Sequence, residues 1–113
     1  MDEYKAKLVR VIDGDTIDCY IDLGFNIHIK ERVRLRGIDT PETRTRDLDE
    51  KKRGIAAKER VIELFEGVNE FVIQTEIHKG KYGRTIGEVI LPLHNKSLNQ
   101  ILLDEGHAEI YWK

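Results

Sequence analysis

The stretch Thr16-Ile17-Asp18-Cys19-Tyr20-Ile21-Asp22-Leu23-Gly24-Phe25-Asn26-Ile27-His28-Ile29-Lys30-Glu31-Arg32-Val33-Arg34-Leu35 decides the fold class. Ile17, Cys19 and Ile21 alternate with polar residues, and Ile27, Ile29, Val33 and Leu35 do the same with Glu31 as the break. A period of two sends successive side chains to opposite faces of a strand. Leu23-Gly24-Phe25-Asn26, between the two runs, reads as a hairpin connection. Upstream, Ala6, Leu8, Val11 and Ile12 form another apolar-rich run, joined through Asp13-Gly14-Asp15. Three consecutive antiparallel strands make a meander.

Beyond Leu35 the pattern changes. Gly37 to Arg53 has no periodicity and is strongly charged, which marks a loop. From about Ile55 to Phe65 the spacing is helical, with Ala57, Val61, Leu64 and Phe65 on one face and Gly67 placed as the stop. Phe71-Val72-Ile73 begins a fourth strand reaching about Ile77, and Thr85 to Leu91 reads as a fifth, joined by Gly80-Lys81-Tyr82-Gly83 and limited by Pro92. Ser97-Leu98-Asn99-Gln100 is a capping box opening a short helix that Gly106 ends. Ala108, Ile110 and Trp112 then alternate as an extended tail added to the core. The expected class is mostly β with α (α+β). Its architecture is a five-stranded OB-fold barrel with a helix between strands 3 and 4 and a second short helix near the C-terminus.

Length and composition agree with one soluble domain over residues 1–113. At 40% hydrophobic and 35% charged residues the chain can build a core and is not of the disordered class. A lone cysteine, Cys19, excludes an intrachain disulfide. No stretch approaches the ~18 apolar residues of a membrane span, and Met1-Asp2-Glu3-Tyr4-Lys5 has no signal-peptide pattern. The expectation is a cytoplasmic protein, or an intracellular one encoded by a phage or plasmid, with nothing pointing beyond a monomer. A net charge of −2 counts against non-specific coating of nucleic acid. It does not count against a hydrolase, whose carboxylates and basic groups nearly cancel in the sum.

Four segments carry chemistry: Asp13-Gly14-Asp15-Thr16, Arg34 through Thr43, Lys81-Tyr82-Gly83-Arg84, and the tail from Gly106 to Trp112. Each alone has a bland reading as a hairpin turn, a proline turn or a solvated basic tip. Together they match what phosphodiester hydrolysis requires. Charge builds on an anionic phosphorus centre, so the catalyst needs a hard cation with oxygen ligands, a fixed guanidinium and a group that prepares water. Asp15 and Asp39 can give carboxylate oxygens to Ca²⁺, Glu42 can serve as general base, and an arginine fork grips phosphate without losing its proton.

These pieces resemble the staphylococcal nuclease (thermonuclease) family over nearly the whole chain, from about Leu8 to Trp112. The matching motifs are Ile12-Asp13-Gly14-Asp15-Thr16, Arg34 five residues ahead of Asp39-Thr40-Pro41-Glu42-Thr43, and Lys81-Tyr82-Gly83-Arg84. The resemblance implies an OB-fold nuclease that cleaves DNA and RNA with little sequence preference and leaves 3′-phosphate ends, with single-stranded or denatured substrate favoured. It implies Ca²⁺ held by the carboxylates of Asp15 and Asp39 and the backbone carbonyl of Thr40. Glu42 would activate or orient water, Arg34 and Arg84 would hold the phosphate, and Lys81 and Tyr82 would contact a nucleotide phosphate. Tyr111 and Trp112 lie where the family places base-stacking tyrosines. Trp112 has the equal alternative of closing the core.

The family's long C-terminal helix is expected to have no counterpart here. Arg44 to Arg53 reads as a mobile solvated loop, with tuning of substrate access as the alternative. His28, His78, His94 and His107 lack metal-ligand spacing, which argues against zinc. Cys19 belongs to the core, while Asp18 and Asp22 fall on the solvated phase. The rival readings are a catalytically inactive OB-fold that binds nucleic acid and a protein-interaction domain. Retention of every arginine and carboxylate in the motifs favours the enzyme over the first.

Overall fold

The structure is a computed structural model, in which residues 2–75 and 85–111 are described. Strands β1 (Asp2–Asp13), β2 (Thr16–Gly24) and β3 (Ile27–Leu35) form the expected meander. The two-residue β4 (Ile38–Asp39), helix α1 (Leu48–Phe65), β5 (Phe71–Thr75), β6 (Thr85–Ile90), α2 (Leu98–Asp104) and β7 (Glu109–Ile110) follow. The long strands close into a barrel in the order β1-β2-β3-β6-β5, with β5 returning to β1. All pairings are antiparallel except β3 with β6. This is the OB-type barrel with a helix between its third and fourth barrel strands.

Alternation explains the interior. Ile17, Cys19 and Ile21 of β2, with Val33 and Leu35 of β3, are buried in one cluster with Ile73, Val89 and Leu91. Helix α1 adds Val61, Leu64 and Phe65, and α2 adds Leu98, Ile101 and Leu102. Asn99 fastens α2 to the barrel: its amide donates to the carbonyls of Arg36 and Gly87 and its oxygen accepts from the Val89 amide. No helix among the described residues is long and apolar enough to cross a membrane.

The expectations need correction at several points. Helix α1 begins at Leu48, not near Ile55, so Leu48 to Arg53 of the supposed loop are helical. Its first turns are charged and exposed, which hides them from a hydrophobic-period reading. Capping determines the start instead: the Asp47 carboxylate accepts from the amides of Asp49 and Glu50. Asp18 is not solvated but only 5% exposed. It lies opposite Arg10 on β1 and Arg32 on β3, and both guanidinium groups close over it at 3.2 and 2.9 Å. Hydrogen bonding from Arg32, and then from Arg10, outweighs burial and holds the Asp18 carboxyl below the usual range. Glu31, read as a break, lies on the inward phase and is buried, with the Thr85 hydroxyl 3.3 Å away. In the tail, Ala108 joins the core but Ile110 is 61% exposed. Its backbone pairs with Ile38 in the small β4–β7 ribbon.

Candidate active site

Arg34 is the hub. It stands one residue before the end of β3, and register places it opposite Thr16, the first residue of β2. That pairing brings the Asp13–Thr16 turn to the end of β3, where the Leu35 amide donates to the Asp15 carbonyl at 2.8 Å. One terminal nitrogen of Arg34 meets the Asp15 carboxylate at 2.5 Å. The other reaches the Asp39 carboxylate and the Ile38 carbonyl, both at 3.2 Å. The guanidinium also lies over the Tyr111 ring, 5.6 Å from its centre. Two acids from separate segments therefore converge on one fork.

The Asp15 side chain is 11% exposed and that of Asp39 is 54% exposed. Burial pushes the Asp15 carboxyl up, but the Thr40 amide, the Arg34 guanidinium and the Thr16 hydroxyl together hold it below its ordinary range. Asp15 is thus a fixed, ionised oxygen donor. Burial lowers the Arg34 guanidinium and Asp15, with Asp39, more than restores it, so the cation keeps its proton.

Thr40 follows β4, and its amide donates to Asp15 at 3.1 Å. Its hydroxyl oxygen is buried with no hydrogen-bond partner among the described residues. Gly14 makes this packing possible, since a Cβ there would sit 3.0 Å from the Thr40 hydroxyl and 2.9 Å from the Ala57 methyl. Pro41 and Glu42 continue across α1. The Glu42 amide donates to the Glu50 carboxylate at 3.1 Å, and the Thr43 hydroxyl donates to Asp13 at 2.6 Å. The Glu42 side chain is exposed at the edge of a cleft of about 540 Å³. Asp39 and Thr40 line that cleft on one side, Glu50 and Arg53 of α1 on another, and Gly106 to Glu109 on a third.

The structure thus brings together Asp15, Arg34, Asp39, Thr40 and Tyr111, with Glu42 on the adjoining turn. Lys81, Tyr82, Arg84 and Trp112 lie outside the described residues. Sequence reasoning missed Glu50 and Gly54, which hold the Glu42 turn. One signal was available: an acid three residues after Asp47, the spacing of a capped helix start.

The family model described as staphylococcal nuclease homologue matches residues 32–113. The chain belongs to that family. Among curated proteins this family member is 32% identical over 116 residues to micrococcal nuclease of Shigella flexneri, covering 96% of this chain and 59% of that protein. It is 36% identical over 109 residues to endonuclease YncB of Bacillus subtilis (strain 168), covering 93% of this chain and 47% of that protein. It is 31% identical over 118 residues to protein ParB of Escherichia coli, covering 96% and 58%. The chain therefore spans about half to three fifths of the length of these relatives.

Proposed function

We propose that this chain is a Ca²⁺-dependent nuclease that hydrolyses phosphodiester bonds of DNA and RNA with little sequence preference, leaving 3′-phosphate ends. The observation that carries the reading is the convergence of Asp15 and Asp39 on the single guanidinium of Arg34, in a member of this family.

The donor set fits a hard cation. Asp15 is ionised, Asp39 is partly open to solvent, and Thr40 is tied to Asp15 through its amide. Among the described residues no cluster of three or more His, Cys, Asp or Glu is arranged for a metal. This pair of carboxylates with Thr40 would supply part of a coordination shell, leaving the rest to water and substrate. That suits Ca²⁺, which takes 6–8 oxygens and accepts water and substrate among them. Asp15, Asp39 and the Thr40 carbonyl would hold the ion, which when bound would polarise the scissile phosphate as a Lewis acid. Arg34 would meet the charge that builds on the equatorial phosphate oxygens, and Arg84 would add a second fork. Glu42 would take the proton from, or align, the attacking water. Tyr111 and Trp112 would stack on bases, and Lys81 and Tyr82 would contact a neighbouring phosphate, favouring single-stranded or denatured nucleic acid.

Incubation with denatured DNA and Ca²⁺, with and without a chelator, tests the reading. Digestion that the chelator stops supports it. Retardation without cutting would replace it with a binding module.

A further inference from the structure

We propose that Glu50 is a positioning residue for Glu42, holding the turn that presents the water-activating carboxylate. The inference rests on the nuclease reading above and extends it to a residue on α1. Three observations carry it.

The first is where the Glu50 carboxylate goes. Asp47 caps α1, and an acid three residues into a helix ordinarily turns back onto the amide of the capping residue. Here that amide donates to the Thr45 hydroxyl at 3.2 Å. The Glu50 carboxylate instead accepts from the Glu42 amide, eight residues away in sequence, at 3.1 Å. A side chain suited to a local cap serves a distant turn.

The second is close approach. Gly54, one helical turn after Glu50, is buried against the same turn. A Cβ there would fall 2.5 Å from the Glu42 carbonyl oxygen and 2.7 Å from that of Pro41. The backbone of the Glu42 turn therefore rests directly on α1, with Glu50 holding its amide and Gly54 making room for its carbonyls. The third is that the rest of the turn is anchored elsewhere: Thr40 bonds to Asp15 and Thr43 to Asp13. Between those anchors, Glu50 is the side chain that, among the described residues, bonds to the Glu42 backbone. Releasing it frees the direction of the Glu42 side chain while leaving the Asp15–Arg34–Asp39 cluster in place.

The test compares wild type, Glu50→Ala and Glu50→Gln, with Glu42→Ala as a second background. Two readouts are used: kcat and KM on denatured DNA with Ca²⁺, and hydrogen exchange of the Glu42 amide by NMR without substrate. Glu50→Ala should lose about 10-fold in kcat, with KM within about twofold, and about 10-fold in protection of the Glu42 amide. Glu50→Gln, which keeps an acceptor oxygen, should restore most of both. In the Glu42→Ala background Glu50→Ala should change kcat by less than about twofold, because its effect passes through Glu42. Wild-type kcat in Glu50→Ala, unchanged Glu42 protection, failure of Glu50→Gln to rescue, or the same fold-loss in both backgrounds would overturn the proposal. A wild-type protein that does not cut would sink the nuclease reading, and the amide measurement would still decide whether Glu50 holds the turn.

Discussion

Gly54→Ala is the sharpest test of how the site is built, because two effects of one methyl group pull in opposite directions. A glycine inside a helix costs ~1 kcal/mol relative to alanine, so propensity alone makes the variant more stable. The added Cβ, however, would lie 2.5 Å from the Glu42 carbonyl oxygen, where ordinary contact begins near 3.4 Å. The nearest atoms are all backbone of Pro41 and Glu42, so no flexible side chain can swing aside. Relief requires the turn to retreat from α1 by about 0.9 Å. Overpacking of this kind costs ~1–3 kcal/mol. Set against the helix gain, the net change in stability lies between about zero and ~2 kcal/mol lost.

The catalytic consequence is larger than the stability one. A shift near 1 Å in a positioned group can cost ~10²-fold in rate, and the displaced backbone is that of Glu42. The expected variant is folded and slow. Its melting temperature should fall by about 4 °C for each kcal/mol lost, while kcat on denatured DNA should drop about 100-fold with KM nearly unchanged. Thermal unfolding by circular dichroism and steady-state kinetics on the same preparation supply both numbers. A Gly54→Ala protein more stable than wild type and equally active would refute the close approach of helix and turn, and with it the placement of Glu42.

Other perturbations probe the hub and its surroundings. Arg34→Ala should lower turnover by ~10²–10³, as expected for removing a donor aimed at the transition state, and it should destabilise the fold by leaving the buried Asp15 without its cation, toward the lower end of ~3–5 kcal/mol. Arg34→Lys should recover part of the stability and little of the rate, because a single ammonium does not span Asp15 and Asp39 as the fork does; single-turnover rates at saturating Ca²⁺ decide, and wild-type turnover in either variant counts against the assigned role. Arg84→Ala should show a similar loss of rate. Asp18, held below the ordinary aspartate value near 3.8 by Arg32 and then Arg10, contributes stability that is full above that value and disappears as pH falls through its lowered folded-state value. Asp18→Asn should therefore flatten the acid limb of a stability-versus-pH curve below about pH 4, and an unchanged limb would show that the arginine clamp has no energetic effect.

The limits of sequence reading follow from the range of the interactions involved. Alternation along one strand reports the face that meets the core, which is why Ile17, Cys19, Ile21, Val33 and Leu35 were legible as interior residues. It says nothing about what covers the other face. Asp18 does sit on the outward phase, yet cross-strand register stacks Arg10 and Arg32 over it, and the pairing of three strands appears in no single strand's pattern. The site follows the same logic at longer range. The Asp15, Arg34 and Asp39 motifs could be recognised as pieces, and the register of β2 on β3 brings Asp15 to Arg34 by setting Thr16 opposite it. Glu50 and Gly54 belong to no motif, since their importance comes from a turn that rests on their helix. A helix read as beginning near Ile55 placed both of them in a loop. The error about α1 and the oversight at the site therefore have one origin: the charged first turns of a helix whose start is set by the Asp47 cap, not by burial. The Asp47 cap draws the helix back through these turns, and the continuous helix carries Glu50 to the Glu42 amide and Gly54 to the carbonyls beside it.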